Sequence, residues 1–385
     1  QWADDKLYLP SEATDLTKLP VNAPTGGWSV LEGDGPDGTL NVSVPGTDME
    51  YLEPAANQRE SRPDHVKGVC WWWRTITVPA SEAGKKFMLD FEGFRQRAEV
   101  YVDGELVAYD IVSETPYAAD ITKAIKPGKT QTLAVRITNH GGNTSWGDFT
   151  LERWGNTDQM MPPSHGFGGI TGRVNLHCID PKAEIADVWV KNKPSQNYNT
   201  VDAVVSLGDY SDVKTVRATI TDYDNADNVH LTKSVPVADV RDGQLTLTDL
   251  TFDGAKLWDL EHPNLYRLRV ELLDGAGNVL DDSSRHFGFR WFEGKGFGDN
   301  ANFYLNSKRV VLRSAISWGY WSKGGIYSTK EQTIAQVNAA KSLGLNCLNF
   351  HRNIGGPLML ETADEMGLLY FEEPGAYHSG VDDFN

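Results

Sequence analysis

The chain has 385 residues, with 36 Lys+Arg against 53 Asp+Glu and a formal net charge of −17. Hydrophobic residues make up 40% and charged residues 23%, which suits a folded chain with a sizeable core and excludes a disordered one. The acidic surplus argues against nucleic acid or an anionic membrane surface as partner, and no run approaches the ~18 uncharged apolar residues of a membrane helix.

Two end-of-chain and cysteine signals come next. Gln1-Trp2 fits a mature end left by signal-peptide removal and equally a trimmed end; on the first reading a secreted or periplasmic bacterial protein is expected. Cys70, Cys178 and Cys347 lie far apart, form no disulfide framework and show no zinc-ligand spacing. Each reads as a small buried hydrophobe.

Residues 1–180 read as all-β. Short alternating runs such as Trp73 to Val78, Phe87 to Phe91, Ala98 to Val102 and Leu133 to Ile137 are separated by Gly, Pro, Asn and Asp turns. Asp103-Gly104 is a hairpin signal and Pro127-Gly128 a turn. Many short strands without helical periodicity predict a sandwich or jelly roll. Trp71, Trp72 and Trp73 lie on one strand, so alternation predicts Trp71 and Trp73 on one face and Trp72 on the other.

Residues 181–292 repeat the all-β habit in a shorter unit. Val188 to Val190, Val201 to Leu207, Val216 to Ile220 and Leu265 to Leu273 are its clearest strands, and their density suits an immunoglobulin-like β-sandwich. Asp222 to Asp227 lacks the Gly and distal Glu of a calcium loop and reads as a solvated turn.

The grammar changes over residues 293–385. Val310 to Leu312 reads as a strand, and Ser328 to Glu331 as a capping box that opens a helix with an apolar stripe of Ile334, Val337 and Leu343. Asn346 to Phe350 is a second strand. Pro357 opens and Gly367 closes a second helix, and Leu368 to Phe371 is a third strand. This alternation predicts a parallel α/β sheet. Three strands do not close such a sheet, so either more chain completes it or this is a fragment.

The order of these segments resembles glycoside hydrolase family 2, the β-galactosidases, β-glucuronidases and β-mannosidases. Trp72-Trp73-Arg74 with Val78-Pro79 is similar to the family's "WYR…VP" strand, and Phe91 to Phe94 with Val100 to Gly104 to its "F-x-G-V…V-x-V-N-G" hairpin. Pro116-Tyr117 with Asp120 to Thr122, Gly168 to Ile170 with Arg173-Val174, and Leu257-Trp258 with His262 to Tyr266 resemble further family motifs in the same order. Phe287 to Arg290, then Phe303 to Asn306 and Leu312-Arg313, continue the series.

The resemblance implies a jelly-roll sugar-binding domain (1–180), an immunoglobulin-like β-sandwich (181–292) and the first three units of a TIM (β/α)8 barrel (293–385). It also implies a retaining glycoside hydrolase cleaving terminal β-linked sugars, with an oligo- or polysaccharide as substrate. The family's two catalytic glutamates follow barrel strands four and seven, so both are expected beyond Asn385. A second expectation, a carbohydrate-binding protein with a degenerate barrel, rests on departures from the family pattern. Asn349 stands where the family usually has Arg, and His351-Arg352 replaces its Ser-His order. No organic cofactor is implied and no residue pattern specifies a cation. The remainder of the same polypeptide or a second copy of the chain is the expected protein partner.

In a βα-barrel the site forms at the carboxyl ends of the strands. His351 and Arg352 fall there, either recognising sugar hydroxyls or a carboxylate or pairing internally with Glu372 or Glu373. Asn353 either donates to a hydroxyl or caps the following helix. Glu372 and Glu373 point to opposite faces, so one of them at most reaches the barrel mouth, with Glu373 the candidate. Trp318 and Trp321 after strand one, and Tyr377 after strand three, are candidate sugar-stacking aromatics or loop packing. Asp158 lies in a long loop that either reaches the site or is solvated.

Overall fold

The computed structural model describes residues 28–32, 40–42, 46–47, 68–94, 97–111, 115–139, 169–194, 198–317, 328–350 and 355–373. The chain divides into two compact units, one made of Gln1–Cys178 with Gly319–Ser328 and one of Ile179–Trp318 with Thr329–Asn385.

The first unit is all β. Its strands are β1 (Trp28–Glu32), β2 (Leu40–Val42), β3 (Gly46–Thr47), β4 (Gly68–Thr77), β5 (Lys86–Phe91), β6 (Arg97–Val102), β7 (Glu105–Asp110), β8 (Tyr117–Asp120), β9 (Thr130–Asn139), β10 (Gly169–Ile170) and β11 (Val174–Ile179). A six-stranded sheet in the order β2-β1-β4-β9-β6-β7 faces a three-stranded sheet, β11-β5-β8, across a shared core. Strict alternation in β5 sends Phe87, Leu89 and Phe91 into that core. Asp103 and Gly104 both take positive φ, the left-handed pair that a tight hairpin needs, and join β6 to β7.

The three tryptophans divide as alternation requires. Trp72 enters the core between the sheets, and Trp71 and Trp73 pack with Tyr101 and Ala134 on the opposite face. That same face buries Glu99, which accepts hydrogen bonds from Arg136 (3.4 Å) and Tyr101 (3.0 Å). A fully buried carboxylate is tolerated only with such partners.

The second unit opens with β12 (Ile185–Asn192), β13 (Thr200–Leu207), β14 (Thr215–Asp222), β15 (Val229–Pro236), β16 (Gln244–Thr251), β17 (Tyr266–Leu273) and β18 (Val279–Phe287). Sheets β12-β13-β16 and β15-β14-β17-β18 enclose one core that contains Val205, Ala218, Leu247 and Val270. This is the two-sheet sandwich that the strand density predicts.

An antiparallel ribbon follows, β19 (Phe292–Lys295), β20 (Asn302–Leu305) and β21 (Lys308–Val310). The run Val310 to Leu312, read as a strand, is one only at Val310, which belongs to this ribbon. Asn306 and Ser307 adopt positive φ and fold Val310 back onto β20. The first parallel strand is instead β22 (Ser314–Ser317), followed by α1 (Lys330–Ser342), β23 (Cys347–Phe350), α2 (Pro357–Met366) and β24 (Leu369–Glu372). The three strands pair parallel in sequence order.

The helix signals hold with one shift. The capping box forms one residue later than expected: Thr329 accepts from the Gln332 amide (3.3 Å), and the Gln332 side chain accepts from the Thr329 N–H (2.9 Å). This start buries Thr333, Val337 and Ala340, and leaves Leu343 76% exposed. Thr333 meets Thr362 of α2 through their hydroxyls at 2.7 Å. No described helix is long and apolar enough to cross a membrane.

Candidate functional site

The register of the parallel sheet decides what its carboxyl ends present. Ile316, Asn349 and Phe371 form one row, and Ser317, Phe350 and Glu372 form the next, on the other face. Phe350 is buried beside Leu360 of α2, so the second row faces the helices. On the first row Ile316 is 59% and Phe371 53% exposed. Parallel sheets are ordinarily covered on both faces. Here the helices cover one face, and the other carries two large apolar side chains in the open.

The two adjacent glutamates separate along the same lines. Glu372 accepts a hydrogen bond from the backbone N–H of Gly355 (3.2 Å), just before α2. Glu373 accepts from the Asn349 side-chain amide (3.2 Å), which places it with the Ile316–Phe371 face. The Asn349 carbonyl oxygen is buried and has no hydrogen-bond partner among the described residues. Sequence reasoning noted Asn349 only as a departure from the family's Arg and missed its pairing. The signal that could have found it is its register, because Asn349 sits on the same face as Glu373. Tyr370, on the helix face, has its hydroxyl pushed far up by burial and by the nearby Asp364.

At the opposite, amino-terminal ends of these strands the sandwich grips α2. Trp258 donates its indole N–H to the Asp364 carbonyl (2.7 Å). The Asp364 carboxylate pairs with Arg290 (2.7 Å) and with His286 (3.2 Å). Burial works against its charge, but the His286 hydrogen bond and the Arg290 guanidinium outweigh it and hold the carboxyl below its usual range. Tyr223 donates to Glu365 (2.7 Å), and Lys330 pairs with the same carboxylate. Burial, then Glu365, pushes the Tyr223 hydroxyl up to about 12, so it remains a donor. Lys341 reaches across to the Leu260 carbonyl (2.9 Å). These contacts fix the sheet from below and leave its carboxyl ends to the loops.

Of the sequence-predicted site residues, Glu373 is therefore placed on the uncovered face. His351, Arg352, Asn353, Trp318, Trp321, Tyr377 and Asp158 lie outside the described residues. The N-cap of α2 is Gly356, without a side-chain cap. The turn at Asp222 to Asp227 is solvated as expected, with residues 224–227 exposed, and Asp222 at its start is tied to His230 (2.6 Å) and Asn228 (2.5 Å). Among the described residues no group of His, Cys, Asp or Glu converges as a metal site.

Comparison with known proteins bears on the assignment. The sugar-binding-domain model of glycosyl hydrolases family 2 matches residues 47–153, and the family's second model matches residues 183–290. A β-galactosidase of Thermoanaerobacter pseudethanolicus is 28% identical over 98% of this chain and 46% of its own length. A β-glucuronidase of Formosa agariphila is 25% identical over 72% of this chain and 29% of its own length. The chain thus spans less than half the length of these curated relatives. Among solved structures, a family 2 member from Bacteroides cellulosilyticus superposes with a TM-score of 0.71 at 19% identity, covering 90% of this chain and 46% of that one. The β-galacturonidase of Eisenbergiella tayi, solved with galacturonate bound, gives 0.68 at 19% identity, covering 90% and 56%. The chain belongs to glycoside hydrolase family 2.

Proposed function

We propose that this chain is part of a retaining glycoside hydrolase that removes terminal β-linked sugars. In this reading residues 1–180 form the sugar-binding jelly roll and 181–292 the linking sandwich. Residues 293–385 form the first three units of a (β/α)8 barrel. The observation that carries it is the half-covered parallel sheet. Its open face holds Ile316, Phe371 and the Asn349–Glu373 pair, and an inward-facing barrel layer has this mix of apolar and polar side chains. The sandwich braces the amino ends of the strands, which leaves the carboxyl ends for substrate.

Retention requires two carboxylates about 5–5.5 Å apart, one as nucleophile and one as acid/base. Glu372 and Glu373 sit on opposite faces of the sheet and cannot supply that pair; the family resemblance assigns the two catalytic glutamates to the ends of barrel strands four and seven, after the three strands found here. The role left to this chain is binding. Glu373, oriented by Asn349, accepts from a sugar hydroxyl, and the side-chain oxygen of Asn349, which has no partner among the described residues, is a further acceptor beside it. His351 and Arg352 follow β23 in sequence and are proposed as further sugar ligands, with Arg352 as a bidentate donor. Trp318, Trp321 and Tyr377 offer faces for pyranose C–H groups, and Asp158 a further carboxylate.

The test is turnover of a panel of aryl β-glycosides by the full-length protein, with the product anomer followed by proton NMR. Hydrolysis with net retention is expected. Inversion refutes the two-carboxylate arrangement, and sugar binding without turnover favours the carbohydrate-binding alternative.

A further inference from the structure

The sandwich unit carries a cleft of about 650 Å³ that the proposed hydrolysis does not use. Its walls come from the β14–β15 turn, the β16–β17 connection and the last turn of α2, and they include Asp222, Asp224, His230, Lys256, Asn264 and Tyr266. We infer that this cleft binds a neutral polyhydroxylated ligand, a short saccharide segment.

The rigid half of the cleft is built first. Asp222 ends β14 and lies in register with Tyr266 at the start of β17. Its carboxylate holds the His230 imidazole at 2.6 Å, and that ring is stacked on Phe252 at 4.5 Å and 13°. The Tyr266 hydroxyl accepts from the Lys256 backbone N–H (2.8 Å), which fixes the β16–β17 connection beside it. The Asn264 amide donates to the carbonyls of Leu257 (2.9 Å) and His262 (3.2 Å), which turns its side-chain oxygen away from those bonds.

Of the remaining groups, Tyr223 donates to Glu365, Asn228 donates to Asp222, and the Lys256 charge acts on the Asp222 carboxylate. The Lys256 ammonium and the Asp224 carboxylate form no ion pair among the described residues, although both line one cleft. Both are exposed and lie in the connections that leave β14 and β16, whose ends the paired strands anchor. The choice of ligand follows by elimination. Asp222 and Asp224, with Glu365 of α2 alongside, outnumber Lys256 and disfavour an anion. No described trio of carboxylate or imidazole groups converges for a metal ion. The walls are mixed, with Tyr223, Pro263 and Leu265 beside the polar groups, which suits a ligand with both C–H faces and hydroxyls. Hydroxyl groups both donate and accept, so a sugar matches alternating partners of both kinds. Preferring a saccharide over another polyol rests on the glycosidase reading; the cleft itself does not.

The experiment titrates the full-length protein with lactose, cellobiose and digalacturonate at millimolar concentration, and reads hydrogen exchange over 222–230 and 254–266. Protection of both segments by a neutral disaccharide is expected. Asp224→Ala and Lys256→Ala should each weaken it about tenfold, the loss of one charge-assisted hydrogen bond, with unchanged melting temperatures. Absence of protection by either neutral sugar, protection by digalacturonate alone, or full protection in the double variant overturns the inference. Aryl-glycoside turnover is measured in parallel. Turnover without protection removes the cleft and leaves hydrolysis standing, and protection without turnover does the reverse.

Discussion

Asp364 is one of the residues through which the linking sandwich holds α2, and replacing it tests that bracing quantitatively. In Asp364→Ala the Arg290 guanidinium loses a 2.7 Å carboxylate partner and His286 loses one at 3.2 Å. The side chains of Arg290 and Asp364 are 33% and 25% exposed. An exposed ion pair contributes ~0–1 kcal/mol, and removing one partner of a fully buried pair costs ~3–5 kcal/mol. A pair exposed to this degree lies between, so the loss should be about 2 kcal/mol. In a unit of this size that lowers the melting temperature by about 4–8 °C. The pH dependence supplies a second reading. The folded carboxyl is held below its ordinary range, so its contribution is fully present above its unfolded value of about 3.9 and is lost as pH falls through the folded pKa. Calorimetric melts of wild type and variant between pH 7 and pH 2 should therefore differ at neutral pH and converge in acid. A neutral-pH difference under about 0.5 kcal/mol, or one that persists unchanged to pH 2, refutes the reasoning.

Three further outcomes follow from single residues. Gly367 closes α2 at φ 74, and a Cβ there would lie 2.5 Å from the Leu260 carbonyl oxygen. Gly367→Ala should therefore cost about 3 kcal/mol in a thermal melt, and a silent substitution would mean the helix end and the sandwich are not in contact. Thr329→Ala removes the capping hydroxyl of α1 and should cost about 1 kcal/mol in denaturant titration, with Thr329→Ser restoring most of it. In the full-length protein Glu373→Gln should lower kcat/KM for an aryl β-glycoside tenfold or more, with an unchanged melting temperature. Wild-type kinetics in that variant would remove Glu373 from the site.

The legible parts of this fold were those written in local chemistry. Alternation divided Trp71 and Trp73 from Trp72, Asp103-Gly104 marked the β6–β7 hairpin, and Pro357 and Gly367 bounded α2. These signals need only neighbours in sequence, because the physics behind them is φ preference and side-chain period. The errors came where two local readings competed. Ser328 and Thr329 both head a capping pattern, and burial of Val337 against α2 is satisfied from either start. Packing of Thr333 on Thr362, a contact between helices, settles the phase. Val310 to Leu312 has strand composition, but the left-handed turn at Asn306-Ser307 commits Val310 to the antiparallel ribbon.

Of the candidate site residues only Glu373 is among those described, and its partner was not legible in the sequence. Parity along β24 required Glu372 and Glu373 to diverge, yet which one met the open face depended on Asn349, a residue 24 positions away. The sandwich-to-α2 network was invisible for the same reason. Trp258, His286 and Arg290 meet Asp364 only after two domains' worth of chain has folded, and none of their local spacings announces it.

The most direct check of the central idea is hydrogen exchange on the full-length protein with a slowly hydrolysed β-glycoside bound. If saccharide rests on the carboxyl ends of the parallel strands, amides in 347–350 and 369–373 gain protection, and Glu373→Gln weakens it. Intact hydrolysis with those segments unchanged on binding would contradict the account.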